Sequence, residues 1–270
     1  MTRVLSGAAL IALAVSVVWL APPAVFFVFA EALLLLAFIE YRRLAEAVGL
    51  PVPAAAGAIA TLAASIGVSS RRWIGDAVVG TAVTLDTVLM SAIVVLATLA
   101  LGSWRGDRDA IGRASAATFP MLYLGLPIGA LIAIRQMSGP QGLFLLMLTV
   151  IVSDTAQYYT GRLFGRRPLA PAVSPKKTVE GAVGGFVFGT LLMVIVGYWW
   201  LPAVPLPIRA ALGATVVALG IVGDLFESML KRSAGVKDSS ALIPGHGGIL
   251  DRIDALLFAA PVYYIVLKHV

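Results

Sequence analysis

Nine runs of predominantly apolar residues follow one another along the chain, each near the length of about 20 residues that crosses the roughly 30 Å hydrocarbon core of a bilayer as a helix. They lie near Val4 to Leu20, Pro23 to Ile39, Val52 to Val68, Ala77 to Leu101, Ser115 to Ile134, Gly142 to Tyr159, Glu180 to Trp200, Pro207 to Leu230, and Leu250 to Leu267. Inside lipid a segment must satisfy its own backbone hydrogen bonds, which a helix does. The expected fold class is therefore an all-α polytopic membrane protein with about nine transmembrane helices. Composition agrees: 60% of the 270 residues are hydrophobic and 13% are charged, against about 25% charged in a soluble domain. The first run follows Arg3 as a signal peptide would. A retained helix is expected instead, because the next run begins after only Ala21 and Pro22 and no A-x-A site intervenes.

The net charge of +6 reads as topology and not as a nucleic-acid footprint, since the basic residues sit in short loops between apolar runs. A cytoplasmic N-terminus collects Arg3, Arg42, Arg43, Arg105, Arg108, Arg113, Arg162, Arg166, Arg167, Lys176, Lys177, Lys231, Arg232 and Lys237 on its side. It leaves Arg71, Arg72, Arg135, Arg209 and Lys268 opposite. That asymmetry favours the cytoplasmic N-terminus, and with it a polar cavity opening to the cytoplasmic side. There is no cysteine, which excludes disulfides and thiolate metal sites.

Acidic residues divide the chain in two. In residues 1–141 they are scattered, with Glu31 and Asp86 inside helices and Glu40, Glu46, Asp76, Asp107 and Asp109 near helix ends or in loops, so this part reads as scaffold. In residues 142–270, Asp154, Glu180, Asp224, Glu227, Asp251 and Asp254 all lie in or at the ends of apolar helices. An acid at the bilayer centre costs about 2.5 to 3.5 kcal/mol on an insertion scale, so these must face a cavity, a cation or each other. Asp224, Glu227 and Ser228 stand at i, i+3 and i+4 on one helical stripe. Asp251 and Asp254 stand at i and i+3 on the first turn of the last helix, where negative charge is tolerated. The two groups flank one short loop, so they meet the membrane at the same surface. Carboxylates and a hydroxyl, without thiols, suit a hard cation such as Mg²⁺. The plainer alternative is that the acids pair with Lys231, Arg232 and Arg252.

The preceding loop is compatible with an anion site. SPKKTVEGAVGG opens the seventh run with Ser174, Lys176, Lys177, Thr178 and Glu180. Cations beside the free N–H groups of a helix start suit phosphate, although the stretch is not a Walker A motif. In GHGG, the glycines around His246 permit positive φ and close approach of the backbone to a ligand.

Read as S-x-x-K-R-x4-K-D-x-S-x2-I-P-x-H-G-G-x-x-D-R-x-D, the stretch Ser228 to Asp254 resembles the signature of the phosphatidate cytidylyltransferases (CDP-diacylglycerol synthases). Asp154, the G-R-x-x-G run from Gly161 to Gly165, and Ser174 to Gly181 are similar to other blocks of that family. Gln157 departs from it, standing after Asp154, Thr155 and Ala156 where an aromatic is expected. The resemblance implies magnesium-dependent transfer of CMP from CTP to phosphatidate, and it leaves room for a second, monovalent cation. It assigns catalysis to Asp224, Asp251, Lys231 and Arg232. It assigns metal binding first to Asp224 and Asp251, with Ser228, Glu227, Asp254 and Asp154 as further ligands or their supports. Substrate binding falls to Ser174, Lys176, Lys177, Lys237, Asp238, His246, Gly247 and Gly248. It also implies the inner or plasma membrane of a prokaryote, an active site facing the cytoplasm, and a homodimer. Two rival readings are a CTP-using enzyme acting on another lipid, such as a polyprenol kinase or an archaeol-type cytidylyltransferase, and a cation or proton transporter. The complete signature speaks against the kinase. The absence of an inverted repeat and the clustering of the acids at one surface speak against the transporter.

Overall fold

A computed structural model describes residues 2–69, 85–104, 106, 109–243 and 245–270, without the side chains of residues 2–6 and 103. Arg71, Arg72, Asp76, Arg105, Asp107, Arg108, Pro244 and the first part of the fourth apolar run (77–84) lie outside the described residues, as does the side chain of Arg3. The helices in order are α1 (Thr2–Leu20), α2 (Pro23–Ala47), α3 (Ala54–Ser69), α4 (Leu85–Ser103), α5 (Ala110–Pro120), α6 (Leu126–Phe164), α7 (Val179–Trp200), α8 (Leu206–Ser233) and α9 (Leu250–His269). A wider π-type turn, Met121–Gly125, joins α5 to α6. The fifth and sixth apolar runs belong to this one continuous stretch. It breaks direction at Gly139, whose φ of 67° and ψ of −173° are non-helical and which precedes Pro140.

Among the described residues, five helices are long and apolar enough to cross a membrane: Pro23–Ala47, Leu85–Gly102, Ala110–Phe164, Val179–Trp200 and Leu206–Ser233. This is a helical membrane protein. α9 is not one of the five, because Asp251, Arg252 and Asp254 crowd its first turn. It is instead a central helix, with Leu257, Ala259, Ala260 and Tyr263 all buried and the Tyr263 hydroxyl donating to Gly142 O of α6 at 3.0 Å. α7 faces outward with Val183, Val187, Phe188, Leu191 and Ile195, a surface suited to lipid. Arg135 of α6 closes the end of α1: its guanidinium donates to Val18 O and Ala21 O at 2.8 and 2.7 Å, satisfying carbonyls that have no helical partner.

The departure from an all-α chain is a small antiparallel hairpin, β1 (Pro168–Ala170) with β2 (Ser174–Thr178), pairing Pro168 with Thr178 and Ala170 with Ser174. The lysine pair that sequence reading put at a helix start therefore lies on a strand. The helix begins one residue past it, capped by Thr178, whose hydroxyl accepts from Gly181 N at 3.1 Å.

Gly223 sets where α8 and α9 meet. A Cβ there would stand 2.5 Å from the Asp254 carbonyl oxygen, whereas one on Gly220 would meet only the Ala255 Cβ, at 3.7 Å. The close approach brings Asp224 beside the first turn of α9. Gly223→Ala is expected to force the helices apart and lower stability by about 1 to 3 kcal/mol, as overpacking does. Gly220→Ala should be neutral or slightly stabilising. Thermal unfolding of the two variants in detergent checks the contrast.

Candidate active site

A cavity of about 350 Å³ opens where α6, α8 and α9 come together under the loop that joins the last two. Its wall is Asp154 from α6, Asp224, Ser228, Lys231 and Arg232 from α8, Lys237 and Asp238 from the loop, and Asp251, Arg252 and Asp254 from α9. Every one of these side chains is charged or hydroxylic. In a chain this apolar, that composition marks a place for charged ligands. Asp224 and Asp251, expected from spacing to share one site, both stand on this wall.

Lys231 is the hinge of the charge arrangement. Its Nζ lies 2.5 Å from Asp251 Oδ1 and also forms an ion pair with Glu227 one turn back on α8. Glu227 is fully buried and is not among the wall residues, so the i, i+3, i+4 stripe divides: Asp224 and Ser228 face the cavity while Glu227 faces the core. Behind it Phe226 packs on Phe258 and Tyr123, both with ring centroids 5.4 Å away. Glu227 and Lys231 are both buried in the chain, and low local dielectric strengthens such a pair.

Asp251 is held on its other oxygen by the signature loop. Oδ2 accepts from Ser239 Oγ at 2.7 Å, Ser239 N at 2.9 Å and Gly248 N at 2.7 Å. Gly247 has φ of +77°, and a Cβ there would stand 2.6 Å from Asp251 Oδ2, so this glycine makes room for the carboxylate itself. The same loop is gripped from α2 by Glu40, a residue that sequence reading left in the scaffold. Its Oε1 accepts from Ser240 Oγ at 2.6 Å and Ile249 N at 3.0 Å, and its Oε2 from Ser239 Oγ at 3.1 Å and Leu250 N at 2.7 Å. The site thus draws on both parts of the chain. Ile249 occupies the N-cap of α9 and offers no side-chain acceptor. That deficit was the one available signal that an acceptor must arrive from elsewhere.

The hairpin separates the two lysines, as successive residues of a strand point to opposite sides. Lys177 reaches Asp224 Oδ2 at 2.6 Å, while Lys176 is exposed and Ser174 is half-buried at the Ala170 pairing. Asp154 receives the amide of Gln157, Nε2 to Oδ1 at 3.0 Å, so the departure from the family pattern supplies a donor to a wall acid. Glu180 accepts from Arg166 N and Arg167 N at 3.0 and 3.2 Å and so fastens the hairpin to α7. Arg232 lines the cavity and donates to Val236 O at 3.0 Å. His246 lies against α1, its Nε2 3.3 Å from where a Gly7 Cβ would be, and is not one of the wall residues.

The wall suits a hard divalent cation by its chemistry. Asp154, Asp224 and Asp254 approach from three helices closely enough to repel one another, and every further donor on the wall is oxygen or a cationic nitrogen. Among the described residues no three Asp, Glu or His side chains close on one point. Lys177 and Lys231 instead hold Asp224 and Asp251.

A model of the cytidylyltransferase family matches residues 1–270, and the chain belongs to that family. Among its relatives, a phosphatidate cytidylyltransferase of Aquifex aeolicus is 40% identical over 152 residues, which cover 56% of this chain and 56% of that protein. One of Thermotoga maritima is 41% identical over 159 residues, 57% of this chain and 59% of that protein. One of Synechocystis sp. is 48% identical over 132 residues, 47% of this chain and 44% of that protein. The chain spans about half the length of these curated relatives.

Removing Lys231 strands two acids, one of them fully buried. Lys231→Met is expected to cost about 3 to 5 kcal/mol, the range for breaking a buried pair. Adding Glu227→Leu should return part of that loss. Unfolding midpoints of the wild type, the single and the double variant check this.

Proposed function

We propose that the protein is a phosphatidate cytidylyltransferase. It transfers CMP from CTP to phosphatidate in phospholipid biosynthesis, giving CDP-diacylglycerol and pyrophosphate. The observation that carries this reading is the cavity between α8 and α9, walled by acids and cations within the signature stretch of a chain that belongs to the cytidylyltransferase family. The phosphatidate monoester is largely ionised near neutral pH, as a phosphoserine is with its second pKa of about 6, and needs no strong general base. One of its oxygens attacks the α-phosphorus of CTP. The new P–O bond forms as the bond from the α-phosphorus to the bridging oxygen of the β-phosphate breaks, and pyrophosphate leaves with that electron pair.

Two polyanions must meet for this to happen, so the work of the site is charge neutralisation and alignment. Lys231, Arg232, Lys237 and Arg252 around the wall, with Lys177 from the hairpin, neutralise the phosphates of the two substrates. Asp224 and Asp251 are the acids that would hold Mg²⁺, with Asp154, Asp254 and Ser228 beside them. When bound, the ion adds charge neutralisation at the transferring and leaving phosphates. Asp238, Gly247 and Gly248 shape the nucleotide side of the cavity. The balance of basic residues supports a cavity facing the cytoplasm, the nine apolar runs support about nine crossings of the membrane, and the acyl chains would remain in the adjoining leaflet. A homodimer and a second, monovalent ion belong to this reading through the family resemblance.

Incubation of purified protein with labelled CTP, phosphatidate and Mg²⁺ is expected to give a labelled CDP-lipid. A labelled phosphorylated alcohol, or no lipid product under conditions where CTP binds, would overturn the reading. Asp224→Asn is expected to reduce turnover to background while membrane insertion, followed by fractionation, is unchanged. The two lysines of the hairpin should part in the same assay, Lys177→Ala losing about 100-fold or more, as a charge-assisted contact of about 3 kcal/mol implies, and Lys176→Ala changing the rate little.

A further inference from the structure

Glu40 lies on α2, about 200 residues from the signature, and is 3% exposed. Each of its two oxygens lies within hydrogen-bond distance of two donor groups, and all four belong to the segment from Ser239 to Leu250. Two of those donors are the backbone N–H groups of Ile249 and Leu250, which open α9 and have no cap of their own. Glu40 therefore caps in trans the helix whose first five residues include Asp251 and Asp254. The Ser239 hydroxyl touches both Glu40 Oε2 and Asp251 Oδ2. It has one proton to donate, so the charge on one acid affects how the other is held.

We infer that Glu40 is a positioning residue for nucleotidyl transfer: through Ser239 and the start of α9 it fixes the Asp251 carboxylate at the cavity wall, with Oδ2 engaged by the loop and Oδ1 turned to Lys231. The inference rests on the proposed function. Carboxylates that hold a metal are themselves oriented by outer hydrogen bonds, and here the outer partner is a buried acid from a helix that sends no side chain to the cavity wall.

Glu40→Gln keeps the side-chain length and removes the charge and one acceptor oxygen. In the CDP-lipid assay its half-saturating Mg²⁺ concentration is expected to rise about 10- to 100-fold, the range for outer partners of metal ligands, with the KM for phosphatidate unchanged. Ser239→Ala should move the Mg²⁺ requirement in the same direction. The double variant should be no worse than the more impaired single, because both changes act along one path. Glu46→Gln, on the same helix and paired at the surface with Arg42 at 2.7 Å, should leave the requirement as in the wild type. Unfolding midpoints identify variants that fold. If Glu40→Gln does not fold, Ser240→Ala takes its place, since it removes one bond to Glu40 and releases only the exposed N–H of Leu242, which water can satisfy. An unchanged Mg²⁺ requirement in the folded variants, or additive losses in the double variant, overturns the inference while the functional reading stands. A wild type that makes no CDP-lipid overturns both.

Discussion

Burying charge in a membrane protein demands partners, and the ammonium of Lys231 between Glu227 and Asp251 is the pairing on which this structure turns. One end of it lies in the aromatic core and the other at the cavity. Without the lysine, the fully buried Glu227 would face Phe226 and its neighbours as an uncompensated charge. With it, the α8–α9 corner carries charge into the apolar interior and still presents Asp251 to an aqueous space. The close contact at Gly223 makes the pairing geometrically available, since it brings the first turn of α9 against the last turns of α8.

The elements converging on the cavity each solve a local problem as well. The hairpin turns Lys177 inward to Asp224 and Lys176 outward because a strand alternates its sides. Thr178 caps α7, and Glu180 ties that helix back to the chain before it. The loop after α8 wraps Asp251 with two backbone N–H groups and a hydroxyl, so a cluster of charge that looks crowded in sequence is sorted into acids with distinct partners. Lys177, Lys231, Gln157 and the Ser239 loop each take one acid or more.

Much of this was legible in the residues. Apolar runs marked the helices, and the spacing of Asp224 with Ser228 and of Asp251 with Asp254 placed both groups on one wall, because helical periodicity is local and needs no knowledge of the partner. Glu227 shows where spacing stops: i, i+3 and i+4 describe a stripe, but tertiary packing, which buries Glu227 fully and leaves Asp224 and Ser228 on the wall, decides which part of it turns inward. The hairpin was hidden for a related reason, since a five-residue strand that itself contains a proline and two lysines looks like any loop. His246 sits among glycines that invite a ligand, yet it lies against α1, and nothing near it in sequence announces that neighbour. Glu40 was the least legible of all. Beside Tyr41, Arg42 and Arg43 it reads as an ordinary helix end at a membrane surface, and its partners are about 200 residues away.

The grip of α2 on the start of α9 also orders events in time. A chain made from its N-terminus folds its early segments first, so Glu40 is in place long before Ile249 and Leu250 leave the ribosome. The last helix arrives without a cap of its own and finds one waiting. The charged loop can therefore settle against Glu40 only after α2 is in place and the start of α9 has been made, so this part of the cavity wall closes later than the helix that grips it.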